Sequence, residues 1–580
     1  SAHPVPPPPL SPLSPSSTLR TPVTPARGAL RWMRSALNVS AISTGVEGEN
    51  GGGEKPFTIT TPLYYVSAAP HMGSAYTTIA ADAISRFQRL SGKPTMFITG
   101  TDEHGEKIAL AAERRGVSPQ EHCDDIAATY KALWERLDIH YDSFIRTTRA
   151  QHEVLVNKIL DKVWDNGDIY LAEYEGFYCV DCEEYKDEKE LLEDKCCPTH
   201  RKPCSERKEA NYFFKLSRYQ KELEELIENT DFVQPESRRN EVLGWVKAGV
   251  RDFSISRAAV EWGIPISRDP KQTVYVWFDA LNGYLSAMVP DGVEPGLAAV
   301  QASGWPADVH LIGKDILRFH AVYWPGMLLS MGMPLPKKVF GHGFLTKDGL
   351  KMGKALGNVL EPVSLVDAYG ADAVRYFFLK EIELGRDGDF SEERFRNIVN
   401  ANLANDIGNL LNRTLNLLKK NCDSETFHHS ASISEDNPLR VIATEKVSIV
   451  ASAYSALELS TACEEILAIS SAGNLYINEE EPWTYLKRGN DEERTRAEEV
   501  LVAVMEAVRI VAVMLSPITP ALSSRIYAQL GFSEEQFTAV RWEDAQWGCI
   551  PTAHRIRRPH PVFARLEGEF VTEGAPVAAK

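Results

Sequence analysis

Two short segments, far apart in the chain, carry residue types that can handle phosphate: Pro70-His71-Met72-Gly73-Ser74 and Lys351-Met352-Gly353-Lys354-Ala355-Leu356-Gly357-Asn358. The first lies between a strand-like stretch, residues 57–65, and a helix-like one, residues 75–90. A strand-to-helix turn of this kind presents backbone N–H groups and the positive end of a helix dipole to an anion. The second is a glycine-spaced loop with two lysines, which can neutralise the charge that develops on a departing pyrophosphate. Neither decides anything alone, because a lone His-x-Gly-Ser recurs by chance and a lysine-bearing loop is commonly a solvated surface. No Gly-x-Gly-x-x-Gly and no Gly-x-x-x-x-Gly-Lys-Ser/Thr occurs, which leaves the usual dinucleotide and phosphate-loop readings weak.

A third cluster has metal-ligand spacing. Cys179-Val180-Asp181-Cys182 and Cys197-Pro198-Thr199-His200 form two Cys-x-x-ligand pairs around a charged segment. Zinc takes four N or S ligands in a tetrahedron, and ligands two residues apart suit a knuckle turn. Cys179, Cys182, Cys197 and His200 are therefore the candidate ligands of a structural Zn²⁺, with Cys196 and Cys204 close enough to compete for the later positions. A redox pair would instead precede a helix in a βαβ setting. A full set of four protein ligands leaves no open position for substrate, so this metal would hold structure and not catalyse. Cys123, Cys422, Cys463 and Cys549 are scattered and read as core residues.

The elements that must position these groups alternate between strand and helix over residues 57–170. Phe57-Thr58-Ile59 and Thr95-Met96-Phe97-Ile98 read as buried strands, while residues 75–90 and 118–137 have helical apolar spacing. Thr99-Gly100-Thr101-Asp102 then follows the carboxyl end of a strand, where doubly wound sheets place ligands. Between residues 171 and 271 the pattern breaks into short, charged, cysteine-bearing sequence. Strand-like runs resume at Val274-Tyr275-Val276-Trp277, Val309-His310-Leu311-Ile312 and Lys338-Val339-Phe340. Residues 397–420, 440–472 and 493–515 are apolar at three-to-four spacing, as in a helical bundle. The expected architecture is a Rossmann-like doubly wound parallel α/β sheet split by a zinc-knuckle insertion and followed by an all-α domain. The expected division is a leader (1–55), a split catalytic domain (56–170 and 274–345) around an insertion (171–273), the lysine segment (346–394), the helical domain (395–560) and a tail (561–580).

Composition bounds the reading further. Of 580 residues, 43% are hydrophobic and 25% charged, as in ordinary soluble proteins. A formal charge of −17 argues against a broadly basic nucleic-acid binder but leaves room for local basic patches. The apolar run at 500–515 contains Glu506 and Arg509 and ends at Ser516-Pro517, so it reads as a buried helix and no membrane partner is expected. Residues 1–46 hold Arg20, Arg27, Arg31 and Arg34, no Asp, Glu or Lys, and many Ser, Thr and Pro. That composition suits an organellar transit peptide, for chloroplast or mitochondrion, or a plain disordered tail.

The ordered series of segments resembles methionyl-tRNA synthetases, members of the class I aminoacyl-tRNA synthetases. It comprises Thr60-Thr61-Pro62-Leu63-Tyr64-Tyr65-Val66, Pro70-His71-Met72-Gly73, Thr99-Gly100-Thr101-Asp102-Glu103-His104-Gly105, Val276-Trp277-Phe278-Asp279-Ala280, Leu311-Ile312-Gly313-Lys314-Asp315-Ile316, His320 through Trp324-Pro325, and the lysine loop. The resemblance implies ATP-dependent attachment of L-methionine to its tRNA, initiator tRNA included, through methionyl-adenylate. It implies a methionine pocket from Leu63, Tyr65, Trp277, Ala280, Leu281, Tyr284, Ile316 and His320, with Tyr65 and His320 offering polar contacts near the sulfur and Asp102 pairing with the substrate ammonium. His71, Gly73 and Ser74 would sit over the ATP phosphates with Mg²⁺, Asp315 would hold the ribose, and Lys351 and Lys354 would stabilise the transition state.

The same resemblance implies that Asn409, Arg413 and Trp483 read the CAU anticodon, with the indole stacking on an unpaired base. Two departures from the family pattern stand out: Ser74 replaces a second His in the first signature, and Gly353 and Ala355 replace serines of the second. Both lysines are retained. The insertion, about 100 residues, is too short for the editing domain of sister enzymes for leucine, isoleucine or valine. The short segment after Arg557 leaves no space for an appended dimerisation module, so a monomer is expected.

Overall fold

The computed structural model describes residues 54–186, 188–198, 201–258, 260–352 and 358–567, with Tyr174, Lys351 and Arg488 described in their backbone only. Residues 1–53 of the leader, His200, Gly353, Lys354 and Ala355 lie outside the described residues.

Six strands form one parallel sheet: β1 (Phe57–Tyr65), β2 (Thr95–Asp102), β3 (Ser143–Arg146), β4 (Val233–Gln234), β5 (Val309–Gly313) and β6 (Val339–His342), in the order β3-β2-β1-β5-β6-β4. Progression reverses between β2 and β5 on either side of β1, which opens a crevice at the carboxyl ends of the central strands. β1 is rich in Thr and aromatic residues, as a strand buried between layers should be. Pro62 interrupts it, and because proline donates no ladder hydrogen bond, the pairing with β2 shifts between Thr60 and Leu63. Past that irregularity, Leu63 stands opposite Gly100 and Tyr65 opposite Asp102.

Two sequence expectations are corrected here. Val274-Tyr275-Val276-Trp277 reads as a strand, but the strand Asp269–Val274 ends there and a helix, Val276–Ser286, begins. That helix is buried on nearly every side, so it shows no polar stripe, and burial overrides the β preference of its first residues. Residues 233–234 fall within the span assigned to the insertion, yet they are β4 of the central sheet; two residues are too short a run to carry a strand signal. The insertion itself is a four-stranded antiparallel sheet, with Ile169–Cys179 and Ser205–Phe214 as its long pair.

The C-terminal part is helical. The stretch 440–472 divides into Pro438–Ser455 and Leu459–Glu479, with Leu457 at a positive φ of 65° between them. Asp491–Leu515 is enclosed on all sides from Val500 onward. Glu506 and Arg509 are tolerated in it because they pair at 2.6 Å. Glu506 also accepts backbone N–H groups from Gly548, Cys549 and Ile550, while Arg509 donates to the Asp544 and Gln546 carbonyls. Among the described residues no helix is long and apolar enough to cross a membrane.

One buried cation ties these parts together. Arg375, on the helix Ala371–Glu381, pairs with Asp82 of helix α1 (Met72–Leu90) at 2.6 Å and donates to the carbonyls of Leu137, Pro517 and Ile518. The helical domain is thereby fixed to the helix that begins at the first phosphate-handling segment.

Candidate active site

A cavity of about 590 Å³ opens at the carboxyl ends of β1, β2, β5 and β6. Its wall includes Leu63, Tyr65, Asp102, Trp277, Ala280, Leu281, Tyr284, Ile316 and His320, all nine residues expected around an amino-acid substrate. His71, Gly73, Ser74 and Asp315 line it too. These residues come from five separate stretches of sequence, and it is the topology of the sheet that brings them to one place.

The apolar half is an aromatic slot. Trp277 stacks on Phe319 with ring centroids 3.8 Å apart and planes 5° from parallel. Phe319 and His320 sit on a single π-helical turn, Phe319–Tyr323, a local widening that presents neighbouring residues to a site. Leu63 reaches this wall because residue 283 is glycine: a Cβ there would lie 2.3 Å from Leu63 Cδ1.

The polar atoms of the slot are mostly committed. His320 Nδ1 lies 3.0 Å from the Ile316 carbonyl, which can only accept, so Nδ1 carries the proton. His320 Nε2 then accepts from the Tyr284 hydroxyl at 2.8 Å. Burial lowers the His320 pKa to about 4, so the ring is neutral. The Tyr65 hydroxyl donates its one proton to Glu183 Oε1 at 2.9 Å. Tyr65 and His320, expected to offer polar contacts near a substrate sulfur, both line the cavity, with their protons held by protein acceptors. The slot is one for an apolar, polarizable group.

Asp102 is the exception. It is buried, and its Oδ1 has no hydrogen-bond partner among the described residues. Burial first, then the nearby Asp279, Glu183 and Glu103, push its pKa well above the ordinary carboxylate value. Behind it, Asp279 receives His104 Nδ1 at 2.6 Å and His152 Nε2 at 2.5 Å, and despite its burial the two imidazoles hold it down to about 2. An acidic, partly unsatisfied spot at the end of an aromatic slot calls for a cation.

The phosphate-handling turn is built as a helix cap. His71 is the N-cap of α1, and its Nδ1 accepts the Gly73 N–H at 3.0 Å, which puts the ring proton on Nε2. A Cβ on Gly73 would lie 2.8 Å from the imidazole, so glycine is needed for the ring to fold back. Ser74 Oγ accepts the His71 N–H at 3.2 Å and donates to the His71 carbonyl at 2.8 Å. The expected place of Ser74 over phosphate is revised accordingly: its hydroxyl proton is used within the cap. Asp315 projects from the end of β5, and Gly313 keeps room for its carboxylate, whose Oδ1 would be 2.5 Å from a Cβ there. Lys351 ends the short strand Leu350–Lys351; the loop with Lys354 lies outside the described residues.

Three of the four expected metal ligands converge. The sulfur atoms of Cys179, Cys182 and Cys197 all lie within 4.8 Å of one another, with Cys182 and Cys197 3.6 Å apart. Cys204 is close to this group: burial and the neighbouring Cys179 and Cys197 push its thiol up to about 11. His200 lies outside the described residues, and Cys196 instead donates to the Asp194 carbonyl. Three clustered thiols with a fourth adjacent are a donor set suited to zinc.

On the helical domain, Arg413 donates to Asn478 at 2.7 Å and lies 6.0 Å from the centre of the Trp483 ring. Asn409, one turn earlier, is exposed, and Trp483 is half-buried. Sequence reasoning gave no role to Glu183, His104 or His152. His104 stands inside a quoted motif, whereas Glu183 meets Tyr65 across 118 residues with no local signal.

Comparison with known proteins agrees with this architecture. The family model "tRNA synthetases class I (M)" matches residues 57–203 and 186–415, and "Anticodon binding domain of methionyl tRNA ligase" matches residues 430–574. The chain is 58% identical over 529 residues to the chloroplastic/mitochondrial methionine–tRNA ligase of Arabidopsis thaliana, covering 91% of this chain and 85% of that one. It is 52% identical to the methionine–tRNA ligase of Thermosynechococcus vestitus, covering 88% and 97%. The methionyl-tRNA synthetase of Mycobacterium tuberculosis in complex with methionyl-adenylate superposes with a TM-score of 0.83 at 37% identity, covering 88% of this chain and all of that one. Split parallel sheet, cysteine-bearing insertion, helical domain and sequence all agree, and the chain belongs to the methionyl-tRNA synthetase family of class I enzymes.

Proposed function

We propose that the cavity at the carboxyl ends of β1, β2, β5 and β6 is where this methionine–tRNA ligase binds L-methionine and ATP and forms methionyl-adenylate. The observation that carries the assignment is the buried, unpartnered Oδ1 of Asp102 at the end of the Trp277–Phe319 slot. The substrate ammonium satisfies that oxygen, and the thioether lies against the stacked rings, where the Tyr65, Tyr284 and His320 protons are already held by protein acceptors. The methionine carboxylate is already ionised and attacks the α-phosphorus of ATP; the bond to the leaving pyrophosphate breaks, and no general base is required. Catalysis is then positioning plus charge stabilisation. His71 and the N–H groups opening α1 face the phosphates, Asp315 holds the ribose, and Lys351 and Lys354 offset charge on the pyrophosphate. Mg²⁺, arriving with ATP, supplies further neutralisation of the phosphates. In the second step a hydroxyl of the terminal tRNA ribose attacks the adenylate carbonyl and AMP leaves.

Cys179, Cys182 and Cys197, with Cys204 or His200 as fourth ligand, would hold a structural Zn²⁺ that ties the insertion's turns together. Asn409, Arg413 and Trp483 form the anticodon-reading surface. The acid-free residues 1–46, together with the chloroplastic/mitochondrial Arabidopsis relative, support import into an organelle. Amino-acid-dependent ATP–pyrophosphate exchange tests the reaction: methionine alone of the twenty supports exchange. Lys354→Ala lowers its kcat by roughly 100- to 1,000-fold without changing methionine affinity, as for loss of one transition-state donor. Exchange driven by leucine, or undiminished in Lys354→Ala, overturns the assignment.

A further inference from the structure

Glu183 comes directly after Cys182 in the knuckle turn and takes a positive φ of 53°. Although it belongs to the insertion, it is 5% exposed and lines the amino-acid cavity of the sheet. Its Oε1 accepts the Tyr65 hydroxyl at 2.9 Å and the Lys107 N–H at 2.8 Å, and its Oε2 accepts the Tyr178 hydroxyl. The contact has a dedicated space. Gly105, at φ 114°, leaves open the spot where a Cβ would stand 2.6 Å from the Tyr65 hydroxyl and 2.9 Å from Glu183 Oε1.

We propose that Glu183 is a positioning residue for methionine recognition. It pins the Tyr65 phenol in the pocket wall and turns its only hydroxyl proton away from the substrate. The insertion thereby takes part in amino-acid specificity through Tyr65. A hydroxyl proton held by a carboxylate is not available to a side-chain oxygen or nitrogen of a wrong amino acid. The inference rests on the cavity being the methionine site.

The test is exchange kinetics on Glu183→Ala, Glu183→Met, Glu183→Gln, Tyr65→Phe and the Glu183→Ala/Tyr65→Phe double variant. Glu183→Ala and the space-filling Glu183→Met each raise the methionine KM roughly tenfold, as expected for losing a hydrogen bond to a charged group, with kcat and the ATP KM within about twofold. Glu183→Gln, which keeps an acceptor oxygen, restores the KM to within about threefold. The double variant is no worse than the poorer single one, because both changes break one contact. If Tyr65→Phe raises the methionine KM but neither Glu183→Ala nor Glu183→Met does, the inference fails while the pocket stands. Multiplying effects in the double variant, or an equal rise in the ATP KM, also overturn it. If none of the variants, Tyr65→Phe included, moves the methionine KM, the pocket assignment itself fails.

Discussion

Asp102→Asn separates recognition from stability in a single change. In the free enzyme the Asp102 carboxyl is buried beside Asp279, Glu183 and Glu103, so its proton is held well above the ordinary range. Asparagine keeps the shape and one acceptor but cannot ionise. Its ammonium contact therefore loses the charge-assisted part, about 1.5–3 kcal/mol, which corresponds to a roughly 10- to 150-fold rise in methionine KM. The ATP KM should not move, because Asp315 and the α1 turn are untouched. The pH profile supplies the sign. Methionine binding needs the carboxylate, so wild-type affinity improves as pH rises through the elevated Asp102 pKa, and the variant's profile is flatter there. Stability changes in the opposite direction. With a folded-state pKa above the unfolded one, the unfolded chain ionises first as pH rises past about 4, and the folded state loses stability until Asp102 itself ionises. Asn removes that loss, so ligand-free Asp102→Asn should melt higher than wild type at neutral pH. Steady-state exchange kinetics across pH, with thermal denaturation of the free proteins, reads both. A variant with unchanged methionine KM, or with the ATP KM raised equally, refutes the ammonium assignment; a lower melting temperature at neutral pH refutes the electrostatic account of Asp102.

Two further outcomes follow from the other sites. Trp483→Ala should raise the tRNA KM about 5- to 150-fold, the cost of one lost base–aromatic stack, while leaving ATP–pyrophosphate exchange intact; equal loss in both reactions would instead mark a folding defect in the Arg413–Trp483 region. Protein purified without chelators should carry about one zinc per chain, and Cys179→Ser should lose it and melt lower. Metal analysis showing no stoichiometric zinc removes the knuckle assignment.

The α/β class, its interruption and the helical domain were legible because each has its own periodicity. Buried strands such as Thr95-Met96-Phe97-Ile98 are short apolar runs, and the bundle helices repeat every three to four residues. The pocket residues were legible only through the order of motifs, since Leu63, Asp102, Trp277 and His320 meet nowhere in the sequence. What stayed hidden is physically of one kind. Val276–Ser286 lacks a polar face because it is buried all round, and β4 is a strand only because β6 lies beside it. Glu183 looks like one more acidic residue in a charged insertion until the fold brings Tyr65 to it.

The departures at the two signatures take on different weights once the local hydrogen bonds are known. Ser74 accepts the His71 N–H and donates to the His71 carbonyl, so it completes the box that fixes the start of α1. A cap of this kind is worth about 0.5–2 kcal/mol and fixes the direction in which the helix N–H groups point. A histidine there could bring positive charge to the phosphates, but its imidazole cannot be both donor and acceptor to one residue's backbone in this compact way. In the proposed ATP site the serine then exchanges a charge for a rigid turn, and the neutralisation of phosphate would rest on the lysines and Mg²⁺. Arg375 reinforces the same helix from below by pairing with Asp82, and it donates to Pro517 and Ile518 of the helical domain as well. The turn proposed to receive ATP and the domain that carries Trp483 thus share one rigid element, as positioning-based catalysis on a long, bound tRNA would require.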